Sequence, residues 1–339
     1  MSAIPSDRAV RGWTTGCGRT RRLDDGTAIA RGIPKKHTLN ETVTSAGKVV
    51  PQGRLGLLRE LADWRAAADE LPERLSRDGY VLLRGALECE QVLRGRHDVL
   101  ERLAAVGEIG EPVDAGVATG TSRRAALHPD CGAFWRGVCE APRLRGFTHG
   151  GMLAEISGAL LGGATRTFDF LWLRTMVAGR ASPLHFDQVY MNRATPHVVT
   201  AWIPLGDVPL EAGPLVVVEG SNRFDDLIAR YQGVDVDRDG LPGSFPDDAV
   251  GFAAQRHARL LTTDFRAADV MLFDMFTLHG SCDNRMTGGR VRMSCDVRWQ
   301  LASGAEDDRW FGAPPKGHGD LGYGGLNGAR PLGEAYVAR

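Results

Sequence analysis

His185 and Asp187 lie two residues apart in residues 183–193, a segment whose composition predicts a β-strand. Successive side chains of a strand point to opposite faces, so this imidazole and this carboxylate would project on the same side. Such a pair can chelate one divalent metal ion. A His-X-Asp pair also occurs often by chance, and the alternative interpretation is a half-exposed polar strand face.

Another histidine, His279, follows a short turn after the apolar residues 268–273, which predict a further strand. Two histidines and one carboxylate leave coordination positions of a metal open. Iron(II) oxygenases need this facial arrangement for a co-substrate and dioxygen. The combination therefore favours an iron(II) site formed by His185, Asp187 and His279.

Residues 290–301 predict a strand with a polar face, which carries Arg290, Arg292, Ser294, Asp296 and Arg298. Burying so many polar groups is costly unless the face lines a polar site. An arginine on this strand can bind a carboxylate through two parallel hydrogen bonds. We expect Arg298 to be structural and paired with Asp296.

The order of these motifs resembles the phytanoyl-CoA dioxygenase family of Fe(II)/2-oxoglutarate-dependent oxygenases over about residues 55–301. Beyond the three candidate metal ligands, the matched segments are residues 78–80, 200–207, 213–215, 219–221 and 279–284. The resemblance implies a mainly β protein with flanking helices. Its core would be a double-stranded β-helix, also called a jelly-roll or cupin-like fold.

The resemblance assigns His185, Asp187 and His279 to the iron. It also matches Trp202 to a strand position that lines the co-substrate pocket in relatives, although Trp202 could equally be an ordinary core aromatic. Trp172 and Arg174 share the parity of a possible inward face, so one of them is expected to touch substrate.

Two arginines compete for the role of binding 2-oxoglutarate. Arg290 has the usual distance after the distal histidine of the family. Arg292 begins an Arg-X-Ser pairing, in which Arg292 and Ser294 would both reach the carboxylate of the co-substrate. The preceding glycine pair could belong to a short insertion, which favours Arg292.

The activity implied by the resemblance is oxidation of a C–H bond in a small molecule. Iron(II) would be the metal cofactor, and 2-oxoglutarate and O2 would be consumed with release of succinate and CO2. Hydroxylation is the expected outcome, and desaturation, cyclisation and epimerisation stay open. The alternatives are a halogenase, which the presence of Asp187 opposes, a non-redox metal-binding jelly-roll protein such as an isomerase or sensor, and a protein-modifying hydroxylase.

The elements that must position these residues fall into three parts. Residues 1–50 predict an extended or partly disordered arm, residues 51–303 the oxygenase domain, and residues 304–339 a coil tail. The domain would hold a helical region (55–162) and a jelly-roll core (165–301) with a polar insert (223–258). Hydrophobic periodicity predicts helices over residues 55–75, 88–106 and 143–161, and turn residues separate strands at 80–84, 166–177, 183–193, 198–205, 215–219, 268–273 and 290–301.

Composition narrows the list of partners. The 339 residues carry a formal net charge of -1, which gives no argument for binding nucleic acid or a membrane surface. No apolar run approaches the roughly 20 residues of a membrane span. Charged residues interrupt the first part of the chain, where a signal peptide would need an apolar centre. The expected location is the cytoplasm.

Overall fold

The computed structural model describes residues 42–245 and 248–334. Most of the predicted N-terminal arm, residues 1–41, therefore lies outside the described residues. Its end is a short antiparallel hairpin of β1 (Thr44–Ser45) and β2 (Lys48–Val49). Val43 and Val50 flank the hairpin and are buried in a hydrophobic cluster, so this part of the arm packs against the domain.

The remaining strands are β3 (Leu55–Leu57), β4 (Glu60–Leu61), β5 (Tyr80–Leu83), β6 (Thr165–Thr167), β7 (Trp172–Met176), β8 (Val198–Pro204), β9 (Leu215–Val218), β10 (Leu260–Thr262), β11 (Val270–Asp274), β12 (His279–Ser281) and β13 (Arg292–Leu301). The helices are α1 (Leu71–Asp78), α2 (Cys89–Ala105), α3 (Arg124–Leu127), α4 (Cys131–Cys139), α5 (Pro142–Thr148), α6 (Gly151–Leu161), α7 (Asp225–Tyr231), α8 (Val236–Asp239) and α9 (Ala249–Gln255). Of the helices in the described residues, none is long and apolar enough to cross a membrane.

Two sheets form the core. The larger has the order β4-β5-β11-β8-β13-β6, with β7 also pairing with β13, and the smaller has the order β12-β9-β10-β3. Side chains from both sheets, among them Leu82, Trp202, Val217 and Phe273, share one hydrophobic cluster. The mainly β, double-stranded β-helix fold is confirmed.

The larger sheet is also buried on its second face. Alternate residues of β5 and β11, such as Leu83 and Leu272, join a cluster with apolar side chains of α1, α2, α4, α5 and α6. Strands covered on both faces read as continuous apolar runs, which explains why this part of the sequence lacks a clean two-residue alternation. The helices thus fix the large sheet that carries β8 and β13.

The predicted helix over residues 55–75 is wrong in most of its length. Residues 55–57 form β3, parallel to β10, and residues 60–61 form β4, so an α-helix begins only at Leu71. Gly56 allows the pairing, because a Cβ there would lie 2.6 Å from Leu261. Glycine also weakens a helix, so sheet pairing overrides the leucine periodicity. The region 55–162 is therefore not purely helical, since it adds three strands to the two sheets.

The other predictions for this region agree better with the structure. The predicted strand 80–84 and helix 88–106 are confirmed as β5 and α2. The predicted helix 143–161 is two helices, α5 and α6. The helix is interrupted at Gly150, where the backbone passes so near the Gly146 carbonyl that a Cβ would lie 2.4 Å from that oxygen. The insert 223–258 holds α7, α8 and α9.

Candidate metal centre

His185 and His279 face each other across a single antiparallel bridge. The amide of His185 donates to the carbonyl of His279 at 2.9 Å, and the reverse bond is 3.1 Å long. The predicted strand 183–193 is wrong, because the chain turns into a 3-10 helix at Asp187. Phe186 between the two candidate ligands is still extended. One extended residue is enough to place His185 and Asp187 on the same side.

Both imidazoles are held in the same way. Nδ1 of His185 lies 2.9 Å from the carbonyl oxygen of Pro183, and Nδ1 of His279 lies 2.9 Å from that of Thr277. A carbonyl oxygen only accepts, so each Nδ1 must carry the proton. The lone pair of each Nε2 is then available to a metal, which is the usual arrangement of a ligating histidine.

The carboxylate of Asp187 is fixed by two other side chains. Thr200 Oγ1 donates to Oδ2 at 2.5 Å, and Arg298 Nη2 lies 3.0 Å from both carboxylate oxygens. Oδ1 lies 3.8 Å from Nε2 of His185. One donor atom from each of Asp187, His185 and His279 falls within 4.8 Å of the other two, which is close enough to share one ion.

The protonation states suit a divalent cation. Burial, followed by the neighbouring His279, lowers the pKa of His185 to about 3, and burial lowers the pKa of His279 as well. Burial alone would raise the pKa of Asp187, but the charge of Arg298 and the two histidines hold it below its usual range. At neutral pH the site offers two neutral imidazoles and one carboxylate, the states in which these groups bind metal.

Arg298 does not pair with Asp296, contrary to the sequence-based expectation. It binds Asp187, while Asp296 accepts a hydrogen bond from Arg174 Nε at 2.7 Å. The strand register explains why Arg298 has this partner, because Arg298 lies directly opposite Thr200 on β8. Cross-strand neighbours are closer than residues two apart on one strand, so both side chains meet at Asp187.

Arg292 lines a narrow pocket next to His279, together with Trp202 and Leu215. Arg292 Nη1 donates to Ser294 Oγ at 2.9 Å, while its Nε is buried without a hydrogen-bond partner. Burial, followed by the charge of Arg174, lowers the pKa of Arg292 to about 10. A buried guanidinium with an unsatisfied donor is costly, and an anionic ligand would satisfy it. The pocket therefore fits a carboxylate.

Arg290 lies elsewhere. It precedes β13, where it forms an isolated bridge with Val117, and its side chain is only half-buried. Its charge acts on Arg96 and lowers the pKa of that buried guanidinium, after burial itself, to about 10. Arg290 is not among the residues that line the pocket of Arg292.

A larger cavity of about 160 Å³ borders the centre, and His185 and Asp187 form part of its wall. Trp172 and Arg174 both line it, and Arg174 and His185 also line the narrow pocket, so the two spaces adjoin. The C-terminal tail supplies residues 325–328 of the wall. This contribution was not predicted, because a Gly- and Pro-rich segment contains few residue types that signal a binding site.

Gly280 offers a test of how tightly the two histidines are held. A Cβ at this position would lie 2.7 Å from the carbonyl oxygen of Ser182 and 3.0 Å from that of Pro183, just before His185. We expect Gly280→Ala to push this segment away, to cost about 1–3 kcal/mol of stability and to weaken metal binding about tenfold. Urea unfolding and calorimetric metal titration would measure both effects.

Gly146→Ala is the matched control, because Gly146 lies on α5 with no atom within 4 Å of an added Cβ. Alanine there should leave metal binding unchanged and raise stability by up to about 1 kcal/mol. Equal metal affinity in Gly280→Ala and Gly146→Ala would contradict the close fit between the two segments.

Comparison with known proteins places this geometry in a family. The model of the phytanoyl-CoA dioxygenase (PhyH) family matches residues 75–292. No curated protein matches the sequence. Similar solved structures include the α-ketoglutarate-dependent epimerase SnoN from nogalamycin biosynthesis, at 20% identity over 81% of this chain and 93% of that chain, with a TM-score of 0.44. AviO1 from Streptomyces viridochromogenes Tue57 has 20% identity over 74% and 99%, with a TM-score of 0.46. EctD from S. alaskensis has 19% identity over 83% and 91%, with a TM-score of 0.45.

Proposed function

The chain belongs to the phytanoyl-CoA dioxygenase family, and we propose that it is an iron(II)- and 2-oxoglutarate-dependent dioxygenase that oxidises a C–H bond of a small molecule. The observation that carries this proposal is the convergence of His185, Asp187 and His279 beside a buried arginine pocket. Hydroxylation of the substrate, with release of succinate and CO2, is the reaction we infer.

In this proposal the three converging side chains hold the iron. Their arrangement leaves positions on the metal open, as a co-substrate and dioxygen require. Iron and 2-oxoglutarate, when bound, supply the oxidising chemistry that protein side chains lack. Arg298 and Thr200 act on the centre through Asp187, whose carboxylate they hold in one orientation.

Arg292 and Ser294 would bind the distal carboxylate of 2-oxoglutarate. The two side chains are joined by the hydrogen bond from Arg292 Nη1 to Ser294 Oγ, and Arg292 lines the narrow pocket. Trp202 is 2% exposed and lines this pocket, while its ring also packs on Phe265 at 4.7 Å between centroids. Trp202 would therefore serve as both a core aromatic and a wall that keeps water from the co-substrate.

The cavity beside His185 and Asp187 would hold the substrate. Its volume of about 160 Å³ suits a small molecule better than a folded protein segment, which favours a small-molecule oxygenase over a protein-modifying hydroxylase. The carboxylate of Asp187 fills the position that a halogenase needs for halide, so the donor set favours oxygenation over halogenation. The buried polar pocket around Arg292 favours a co-substrate and thus weighs against a non-redox metal protein.

Titration without oxygen tests the proposal. The purified protein should bind about one iron(II) per chain, and 2-oxoglutarate should then produce a visible metal-to-ligand absorption band. Admission of O2 should yield succinate in the presence of iron and none with zinc in its place. A chain that is fully loaded with iron but gives neither the band nor succinate would overturn the assignment.

A further inference from the structure

We propose that Asp274 is a positioning residue of the metal centre. It holds the turn of residues 274–277, and this turn sets the orientation of His279 and of the segment that carries Asp187. The inference rests on the proposed function only in taking His279 and Asp187 as metal ligands. It adds a residue outside the ligand set, and it gives the family-like segment 78–80 a part in the site.

The turn contacts the segments of two ligands. The carbonyl oxygen of Thr277 accepts a hydrogen bond from Nδ1 of His279 at 2.9 Å. The carbonyl oxygen of Met275 accepts from the amide of Gln188, the residue after Asp187, at 3.1 Å. Partners of this kind orient the ligands, and their loss weakens metal binding about 10–100-fold. A displacement of the turn would therefore disturb two of the three ligands at once.

Asp274 is the last residue of β11 and closes the turn with both its side chain and its backbone. Its Oδ1 accepts from the amide of Phe276 at 2.8 Å and lies 3.1 Å from the hydroxyl oxygen of Thr277. Its carbonyl oxygen accepts from the amide of Thr277 at 3.2 Å. An aspartate that accepts from the amide two residues further on forms an Asx turn, which fixes the local backbone. The position of the Thr277 carbonyl, and with it the ring of His279, therefore depends on Asp274.

Gly79 binds the same turn through its carbonyl oxygen. This oxygen accepts from the amide of Asp274 at 3.1 Å and from the hydroxyl of Thr277 at 2.6 Å. The φ angle of Gly79 is +80°, and a Cβ there would lie 2.6 Å from Oγ1 of Thr277, so a side chain would displace the turn. The resemblance to the family includes the segment 78–80 without assigning it a role, and this contact supplies one.

The turn needs the oxygen of Asp274 rather than its charge. Among the described residues, no cationic side chain pairs with this carboxylate. Burial raises the pKa of Asp274 to about 6, although its hydrogen bonds with Phe276 and Thr277 act in the opposite direction. Because this pKa is higher than in the unfolded chain, ionisation of Asp274 disfavours the folded state at neutral pH. Asparagine has a neutral side chain with an acceptor oxygen in the same place, so it should serve the turn at least as well.

Replacement of Asp274 by alanine and by asparagine tests this role. The full chain is titrated with cobalt(II) in place of iron(II), because the visible absorption of cobalt depends on the geometry of its ligands. We expect Asp274→Ala to weaken cobalt binding about tenfold or more and to change the absorption spectrum. Asp274→Asn keeps the acceptor for Phe276, so its cobalt affinity should stay within about threefold of the wild-type value, with the wild-type spectrum.

Asp130→Ala is the matched control for the lost hydrogen bond. Asp130 also accepts from a backbone amide at 2.8 Å, that of Ala133 at the start of α4. Alanine there should lower stability in urea unfolding, as Asp274→Ala does, because a helix cap is removed. It should leave the affinity for cobalt and the spectrum unchanged, since Asp130 does not contact the turn.

A pair of glycines tests the turn from the side of Gly79. Gly79 and Gly162 follow α1 and α6, and both have a left-handed backbone, with φ angles of +80° and +75°. A Cβ at Gly162 would meet no atom within 4 Å, whereas one at Gly79 would meet Thr277 and Asn222. Alanine should strain the backbone equally at both positions. Only Gly79→Ala should weaken cobalt binding, by about fivefold or more.

An unchanged cobalt affinity and spectrum in Asp274→Ala would overturn the inference. An equal loss in Asp130→Ala would also overturn it, by tracing the effect to general destabilisation, and an equal loss in Asp274→Asn would trace it to the charge. If Asp274→Ala does not fold, the glycines decide, because equal affinity in Gly79→Ala and Gly162→Ala would contradict the role of the turn. A wild-type chain that binds no cobalt counts against the proposed function, whereas normal loading with unaffected variants counts against the inference alone.

Discussion

Iron(II) binding should fall by a factor of about a hundred or more when His185 and His279 are both replaced by alanine, since loss of a group that is merely hydrogen-bonded to a metal ligand costs about 10–100-fold. Each imidazole has its Nδ1 committed to a backbone carbonyl and its Nε2 directed to the shared centre. Asp187 alone would remain as a ligand, and one carboxylate does not retain the metal. Metal analysis after desalting and calorimetric titration with iron(II) under anaerobic conditions measure the loss.

The double histidine variant is a cleaner test than Asp187→Ala. It leaves the buried pair of Asp187 and Arg298 intact. Removing the carboxylate would instead leave the buried guanidinium without its partner and cost about 3–5 kcal/mol of stability. His197→Ala serves as the control, because His197 is exposed and outside the centre. Full iron occupancy in the His185/His279 double variant would disprove the ligand assignment.

The placement of His185 and Asp187 on one side could be predicted from sequence because it depends on short-range geometry, whereas His279 reaches them only through its long-range bridge with His185. A spacing of two residues places His185 and Asp187 on one side wherever the intervening residue is extended, and Phe186 is extended although no strand forms. The apolar run before His279 predicts β11, which ends near the centre. These features need no knowledge of which strands are neighbours.

Features that depend on strand register could not be predicted in the same way. Arg298 was expected to pair with Asp296 on its own strand, yet it meets Asp187 because Thr200 and Arg298 are register partners on β8 and β13. One sequence without homologues does not specify that register. Thr200 lies two residues before Trp202 and therefore on the same strand face, which is the signal that could have suggested its role.

Long-range packing also explains two other differences between the predicted and the observed structure. The leucines of residues 55–61 have a helical spacing, but pairing with β10 and β5 places Leu55, Leu57 and Leu61 in strands at the sheet edges. The tail beyond residue 304 contains little regular secondary structure, yet Trp310 and Tyr323 are buried in the main core. This anchoring brings residues 325–328 to the cavity wall. Neither contact leaves a local pattern in the sequence.

Arg292→Ala should raise the concentration of 2-oxoglutarate needed for half-saturation at least about thirtyfold, whereas Arg290→Ala should change it less than about fivefold. Loss of a buried arginine–carboxylate pair costs about 2–5 kcal/mol, which corresponds to a weakening of roughly thirtyfold to several thousandfold. Arg292 is buried, bonded to Ser294 and left with an unsatisfied Nε in the narrow pocket. Arg290 is half-buried and lies before the start of β13.

The two arginines form a matched pair, because the substitutions are identical and lie two positions apart. Anaerobic titration of 2-oxoglutarate against each iron-loaded variant, followed through the metal-to-ligand absorption band, separates co-substrate binding from later steps. Iron content should stay at the wild-type value in both, since neither residue belongs to the ligand set. The reverse order of affinities would transfer the co-substrate role to Arg290. Arg292 would then act on Ser294 and on the buried charges of Arg174 and Asp296 instead.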